Sequence, residues 1–397
     1  MAKNKKVSKR QRRKRKLILF IIEIIVLIIV AGALYVYSRL NLIKSDKLDE
    51  TKVGKSEVSE ETQKTFEGYT TIALFGLDNR EQGVYESGNS DVIMIMNINN
   101  DTKEVSLVSV YRDTYLNVAG AGEDEKFQKA NAAYAYGGPE QAVTMLNRNL
   151  DIDIDNYVAF DFKAVSQAVD ILGGVDVTIE SQKELDCLND YISYTSQYVG
   201  GSDERVTSLG THTLNGVQAV SYARIRYTEG DDYKRAERQR RVLAEMIKKA
   251  KSASLTELND LINTVFPQIS TDLDKKDIIS MAAVMIKYDM GNSGGFPYSR
   301  DTFTPSNKIG SVVVPCDLES NVIELHKRLF GTEDYQPSSI VQAYSEKIVD
   351  ESHFTADHNA DTRFSDADEF FGDGSQQTTD DQTTDDQTTD NAAGDSQ

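Results

Sequence analysis

Residues 17–37 divide this chain into two unequal parts. They are apolar except for Glu23 and Gly32, and residues 1–16 before them hold ten Lys/Arg and no acid. A helix needs about 20 apolar residues to cross the roughly 30 Å hydrocarbon core of a bilayer, so a transmembrane helix is predicted over 17–38. No small-residue cleavage site follows, and the run is longer than a signal-peptide core, which predicts an uncleaved signal-anchor. The positive-inside rule puts 1–16 in the cytoplasm, Tyr35 and Tyr37 at the outer interface, and the chain from about residue 40 outside the cell membrane. Topology accounts for the basic arm, so no nucleic-acid partner is expected.

At 397 residues, 39% hydrophobic and 27% charged, the remainder is long enough to bury a large core. The formal charge of −19 averages a basic start with an acidic end: 351–397 carry thirteen Asp/Glu against Arg363 alone. Whole-chain acidity therefore says nothing about the ligand. Residues 377–390 repeat Gln-Thr-Thr-Asp-Asp, and 351–397 are expected to be a disordered acidic tail. Residues 39–68, rich in Lys, Glu, Thr and Ser, read as an extracytoplasmic linker lifting a domain off the membrane. One domain is expected over 69–350. Its motifs lie within 69–250, and 252–350 is an appended part. Cys187 and Cys316 would face an oxidising side but are 129 positions apart, and whether they pair stays open.

Strands are predicted at 70–76, 91–98, 104–110, 157–162, 175–179 and 308–314, with a hairpin at Asn99-Asn100-Asp101. Helices are predicted at 138–149, 163–172, 214–223, 233–251, 255–265, 275–289 and 319–330. Their alternation implies an α/β fold, a mixed central β-sheet covered by helices on both faces.

Polar residues gather where the strands end. Asp78 and Arg80 follow the first strand, Asp91 opens the second, and Arg112-Asp113 close the third, a place where ligands lie in open α/β sheets. An extended 221–227 would turn Arg224 and Arg226 to one side, and a helix would stack Arg235, Arg238 and Gln239 at i, i+3 and i+4. Carboxylates without His or Cys suit a hard cation such as Mg2+, and several guanidinium forks suit a pyrophosphate. Any single Arg-Asp pair is more often a surface ion pair, and a charged run a solvated face; the combination is what points to a site. Val105, Leu107, Phe160, Phe162, Val165, Val169, Ile171 and Leu172 could wall an apolar groove or form ordinary core. His212, His326, His353 and His358 lie away from these motifs, and no Gly-x-Ser-x-Gly, Walker or zinc spacing occurs.

The motifs Phe75-Gly76-Leu77-Asp78-Asn79-Arg80, Ser90-Asp91, Ser109-Val110-Tyr111-Arg112-Asp113, Lys129 to Tyr134, Gly137-Gly138, Val169 to Val175, Ala223-Arg224-Ile225-Arg226, Asp232 and Arg238-Gln239 occur in one order over about 69–250. In them the chain resembles the LytR-CpsA-Psr family. The resemblance implies a phosphotransferase that attaches a glycopolymer from an undecaprenyl-pyrophosphate carrier to peptidoglycan with Mg2+; family members have also been described as transcriptional attenuators. Which glycopolymer, whether teichoic acid, capsular or rhamnose-rich polysaccharide, stays open. Carried over motif by motif, Asp78 and Asp91 would hold the metal, and Arg80, Arg224 and Arg226 would grip the pyrophosphate. Arg112, Asp232, Arg235, Arg238 and Gln239 would line the same head-group site, Arg112 and Asp232 in the catalytic roles. Arg241 lies outside the motif and is read as a near-neutral position on the same helix. Two departures, Asn89 where the family commonly has Arg and Tyr111 where it has Pro, bear on donor or acceptor preference.

Outside the membrane no ATP is at hand, so a transferase there needs a donor activated beforehand, and a lipid-linked sugar pyrophosphate is one. Arg stays protonated, which makes Asp232 or a phosphate oxygen the better base than Arg112. Two rivals use the same anion chemistry: a non-catalytic envelope regulator or polymer-binding scaffold, and a lipid pyrophosphate hydrolase.

Overall fold

A computed structural model of the chain describes residues 38, 44–45, 47–77, 85, 88–226 and 230–362. The expected transmembrane helix, except residue 38, lies outside them, as do 363–397. Among the described residues no helix is long and apolar enough to cross a membrane.

The strands are β1 (Lys44–Ser45), β2 (Tyr69–Leu77), β3 (Ser90–Asn99), β4 (Glu104–Val110), β5 (Tyr115–Asn117), β6 (Phe127–Lys129), β7 (Asn156–Asp161), β8 (Val175–Ile179), β9 (Gly210–Leu214), β10 (Ile269–Thr271), β11 (Asp289–Phe296), β12 (Arg300–Phe303) and β13 (Val312–Pro315). The α-helices are α1 (Glu60–Glu67), α2 (Ala132–Leu150), α3 (Phe162–Ile171), α4 (Gln182–Val199), α5 (Gly216–Arg224), α6 (Asp231–Lys251), α7 (Leu255–Thr264), α8 (Lys275–Val284), α9 (Leu318–Phe330) and α10 (Ser339–Ser352).

In β2, Ile72 and Leu74 alternate with Ala73, Phe75 and Leu77, and all five are buried. A strand apolar on both sides belongs in the middle of a covered sheet. The seven-stranded order is β1-β10-β7-β2-β3-β4-β11. β3 runs antiparallel to β2 and β4, β10 antiparallel to β7, and the other neighbours are parallel, so the sheet is mixed as predicted. On one face Phe75, Ile95 and Val108 pack with Leu146 of α2, Leu325 of α9 and Ile348 of α10. On the other, Leu74, Val92 and Met94 meet Leu243 of α6 and Met281 of α8. A separate core joins α3 to α6 with the ribbon β8–β9 through Val169, Val177, Leu188, Val217 and Val242. Near the end of β2 the register shifts between Gly76 and Leu77; a Cβ at Gly76 would stand 2.7 Å from the Val92 side chain, so only glycine lets β3 approach there.

Three expectations change. Residues 47–67 do not lift the domain: Leu48 and Val53 pack against its core, and the Gly54 amide donates to Thr144 Oγ1 at 2.9 Å. The tail does not begin at 351, because α10 runs to Ser352, His358 Nε2 lies 2.7 Å from Asp301 Oδ2, and Asp361 exchanges backbone hydrogen bonds with Arg300. Residues 285–289 leave the predicted helix to enter β11, a glycine-rich strand parallel to β4; at Gly295 a Cβ would stand 2.0 Å from the Tyr111 hydroxyl. Cys187 and Cys316, whose pairing the sequence leaves open, are free thiols.

His326 is structural: 1% exposed, its Nε2 is 3.0 Å from the Leu150 carbonyl oxygen and its ring stacks on Tyr335 at 3.5 Å. Burial pulls its pKa down to about 4. The unfolded chain takes a proton at the ordinary value of about 6.5 while the folded ring stays neutral, so stability falls as pH drops from about 6.5 to about 4. We expect this to remove about 3 kcal/mol, and His326→Phe to flatten that stretch of a denaturant-midpoint-versus-pH curve.

Candidate functional site

The polar site stands where β3 begins, β4 ends and α6 starts. Arg112 follows β4, and its Nη1 donates to Asp91 Oδ1 at 2.8 Å. Its Nη2 is 3.9 Å from Asp232 Oδ2, and its Nε is 3.7 Å from Asp113 Oδ2. Lys129 Nζ reaches the other Asp113 oxygen at 3.2 Å. Asp232, in the first turn of α6, also lies 3.1 Å from Arg235 Nη1 and 3.7 Å from Arg226 Nε. Arg226 Nη2 closes the ring 4.0 Å from Asp91 Oδ2.

Arg224 ends α5, and Ile225, fully buried with extended dihedrals, turns the chain so that Arg226 reaches the same pocket. The expected extended strip is thus helical through Arg224. The Arg224 guanidinium lies 4.9 Å from the Phe162 ring and 5.9 Å from the Tyr191 ring, two aromatic walls that motif reading missed. Asp91, Phe162, Tyr191, Arg224, Arg226, Arg235 and Gln239 enclose about 530 Å³ of space, open to solvent.

Among the described residues, four guanidinium groups converge here with three carboxylates, a surplus of positive charge. Burial alone would lower the Arg112 pKa, but Asp91, Asp113 and Asp232 hold it above its ordinary value. Burial pulls Arg235, 5% exposed, down to about 10 against the opposing pull of Asp232, so it remains a cation at neutral pH. Both are donors to anions rather than bases.

Arg238 departs from the expectation that it lines the pocket. It is 3% exposed, its Nε donates to Glu184 of α4 at 2.9 Å, and its Nη1 donates to the Ile225 carbonyl at 3.3 Å. With Gln239 Nε2, which donates to the Ala223 carbonyl at 3.4 Å, it holds the α5 end that carries Arg224 and Arg226. Gln239 also lines the pocket. Arg241, read as near-neutral, is buried and donates to the Tyr222 hydroxyl at 3.0 Å and to Glu237 at 3.2 Å. Asp78 and Arg80 lie outside the described residues. Among those described, no cluster of three or more His, Cys, Asp or Glu could hold a metal.

Phe162 and Gln239 also line a second space, an apolar groove of about 850 Å³ including its open mouth. Sheet residues Leu74, Val92, Met94, Val158 and Phe160 floor it, and Leu243 and Met246 of α6 wall it. Ala164, Ala168 and Ala223 leave it open because their side chains end at Cβ. Of the groove candidates read from sequence, Phe160, Phe162 and Val165 line it. Val169 belongs to the α3–α6 core, and Val105 packs in the same cluster as Leu74, Val92 and Met94 without lining the groove.

A cationic pocket running into an apolar groove suits an anionic head on a hydrocarbon stem. The LytR_cpsA_psr family model matches residues 32–291, more than half of the chain, and the chain belongs to that family. The teichoic acid transferase TagU of Enterococcus faecalis, named a polyisoprenyl-teichoic acid–peptidoglycan teichoic acid transferase, is 31% identical over 241 residues, 60% of this chain and 72% of TagU. TagT of Bacillus subtilis, named likewise, is 30% identical over 259 residues, 64% of this chain and 76% of TagT. Biofilm regulatory protein A of Streptococcus mutans is 30% identical over 253 residues, 62% of this chain and 59% of that protein. The crystal structure of a Streptococcus agalactiae protein covers 72% of this chain and 93% of its own, with a TM-score of 0.56 and 25% identity. TagT with bound octaprenyl pyrophosphate lipid shares the fold at a TM-score of 0.52 and 23% identity, over 72% of this chain and all of that one.

Proposed function

We propose that this protein is a membrane-anchored extracytoplasmic phosphotransferase that attaches a glycopolymer from a polyprenyl-pyrophosphate carrier to peptidoglycan. The observation that carries this reading is the continuity of the two spaces: Phe162 and Gln239 line both the cationic pocket and the apolar groove. A pyrophosphate would sit among Arg224, Arg226 and Arg235 with its prenyl chain over Val158, Leu243 and Met246. The names of TagU and TagT agree with this assignment. The N-terminus is cytoplasmic in this reading, and the domain lies outside the membrane.

Mg2+ belongs to the same proposal. It needs one or two carboxylates and shares phosphate oxygens and waters, and Asp91 supplies a hard oxygen donor at the pocket edge. Asp78 is proposed as its partner. When bound, the ion would neutralise charge on the phosphates. The chain's own residues do the rest. Arg224, Arg226 and Arg235 hold the phosphate oxygens, and Arg112 stays protonated as a donor. The acceptor hydroxyl oxygen bonds to the sugar-proximal phosphorus, the bond from that phosphorus to the bridging oxygen breaks, and lipid phosphate leaves. Asp232 takes the hydroxyl proton.

The test is release of polyprenyl monophosphate from a lipid-linked glycan by the full chain in vesicles, with and without peptidoglycan. Acceptor-dependent release that EDTA abolishes and Mg2+ restores is expected, with Asp91→Ala losing the Mg2+ response. Tight donor binding without release would establish a scaffold, and equal release without acceptor a hydrolase.

A further inference from the structure

We propose that a third space, beside the cationic pocket, takes the attacking hydroxyl group of the acceptor, and that the Ser109 hydroxyl on β4 holds it there. This deepens the phosphotransferase reading and rests on it.

The space holds about 330 Å³ including its open mouth, and Asp91, Ser109, Arg112, Asp232, Arg235 and Gln239 are among the residues that line it. Asp91, Arg235 and Gln239 are shared with the cationic pocket, and the rest divide by chemistry. Arg224 and Arg226, which would grip phosphate, line the cationic pocket and not this space. Asp232, the proposed base, lines this space and not the cationic pocket. Neither Asp232 nor Ser109 lines the apolar groove. Displacement at phosphorus runs in line, so a transferase needs its base on one side of the phosphate and the path of its leaving group on another. The three spaces meet that need.

Ser109 sets this space apart from a bare cluster of ion pairs. Val105, Leu107 and Ser109 follow one another at the strand period, and the cross-strand partner of Ser109 is Met94, on the side of the sheet that α6 covers. Alternation calls for a third apolar side chain there, and β4 supplies a hydroxyl where it reaches the site. Ser109 is 3% exposed, and among the described residues its buried Oγ has no hydrogen-bond partner. Buried hydroxyls are normally paired. Ser293 on the neighbouring β11 accepts from Arg240 Nε at 3.0 Å, and Ser270 on β10 lies 2.9 Å from the Tyr157 hydroxyl. An unpaired hydroxyl costs free energy that an alanine would not, so its partner is to be sought in what enters the space.

The other lining groups say which partner fits. Asp232 Oδ1, ion-paired with Arg235 at 3.1 Å but outside hydrogen-bond geometry, is a buried acceptor, and Arg112 Nε and Arg235 Nε are buried donors likewise without hydrogen bonds among the described residues. An alcohol oxygen uses this set. It accepts from Ser109 through one lone pair and bonds to the sugar-proximal phosphorus through the other, while its own proton passes to Asp232 and lipid phosphate leaves. Ser109 keeps its proton throughout, and the two guanidinium groups, as cations, suit the phosphate oxygens. A neutral donor belongs beside the nucleophile, because a cationic one would draw more electron density from it.

The test uses the full chain in vesicles, with a polyprenyl-pyrophosphate-linked disaccharide as donor and uncrosslinked peptidoglycan strands as acceptor. Ser109→Ala should keep the donor Kd, and its melting temperature should equal or exceed that of the unaltered chain, since it deletes an unpaired buried hydroxyl. Its kcat/KM for the acceptor should fall roughly three- to tenfold, the loss of one neutral hydrogen bond. Ser109→Cys, close in volume but a weak donor, should lose as much, and Ser109→Thr, which keeps the hydroxyl, should recover most of the rate. Full transfer by the alanine and cysteine variants, or a loss shared by the donor Kd or the melting temperature, would make Ser109 a packing residue and overturn the proposal. An unaltered chain without acceptor-dependent transfer would remove the phosphotransferase reading and this inference with it. Normal transfer that ignores position 109 would remove this inference alone.

Discussion

Arg224→Ala and Arg226→Ala should each lower donor turnover roughly ten- to a hundredfold while leaving the melting temperature nearly unchanged. Each guanidinium faces the cationic pocket, so its removal deletes a charge-assisted hydrogen bond to phosphate worth about 1.5–3 kcal/mol. The fold loses little. Among the described residues, the ion pairs of Arg226 are long, 3.7 Å to Asp232 and 4.0 Å to Asp91, and Arg224 lies over Phe162 with a 3.5 Å contact to Thr195. Arg224→Lys should rescue poorly, since a point charge cannot make two parallel bonds to phosphate or lie flat on an aromatic ring. Full activity in both alanine variants, measured as lipid phosphate release, would reduce the cluster to a solvated face.

Much of this site is legible in the sequence because strand ends and short motifs fix where side chains emerge. Asp91 and Arg112 are placed by β3 and β4, whose apolar alternation admits one register, and Asp232, Arg235 and Gln239 by the first three turns of a long helix. Tertiary partners are another matter. The i, i+3 spacing of Arg235 and Arg238 predicts a shared face, yet Glu184, from a helix unread in the sequence, draws Arg238 away from the pocket. That helix, α4, does carry signals: Leu185, Leu188 and Ile192 recur at helical spacing, and Ser181 caps its first turn with Glu184 three residues on. The groove is illegible for a different reason. Periodicity marks Phe162 and Val169 alike as apolar, but whether a side chain meets another or an open space depends on what crosses it, here the alanines of α3 and α5. In β11 Gly291 and Gly295, which admit Glu104 and Tyr111 at close range, also erase the strand signal.

Breaking the Arg238–Glu184 pair should have the largest effect on stability. Both side chains are almost wholly buried, so Arg238→Met leaves the Glu184 carboxylate buried without its charge partner, with the Glu180 amide still donating to its Oε2 at 2.9 Å. Such breaks cost about 3–5 kcal/mol, or roughly 10 °C of melting temperature in a domain this size. Adding Glu184→Leu should recover most of it, because two apolar side chains carry no desolvation debt; a double-mutant cycle in urea measures the coupling. Arg238→Lys separates the two duties of this side chain. A lysine ammonium can still meet Glu184, so the melting temperature should largely return, but it lacks the second arm that holds the Ile225 carbonyl. The α5 end would then loosen, and turnover should fall with the fold intact. If Arg238→Lys restored stability and turnover together, Arg238 would serve the core alone, and the position of Arg224 and Arg226 would have to come from Gln239 and the buried Ile225.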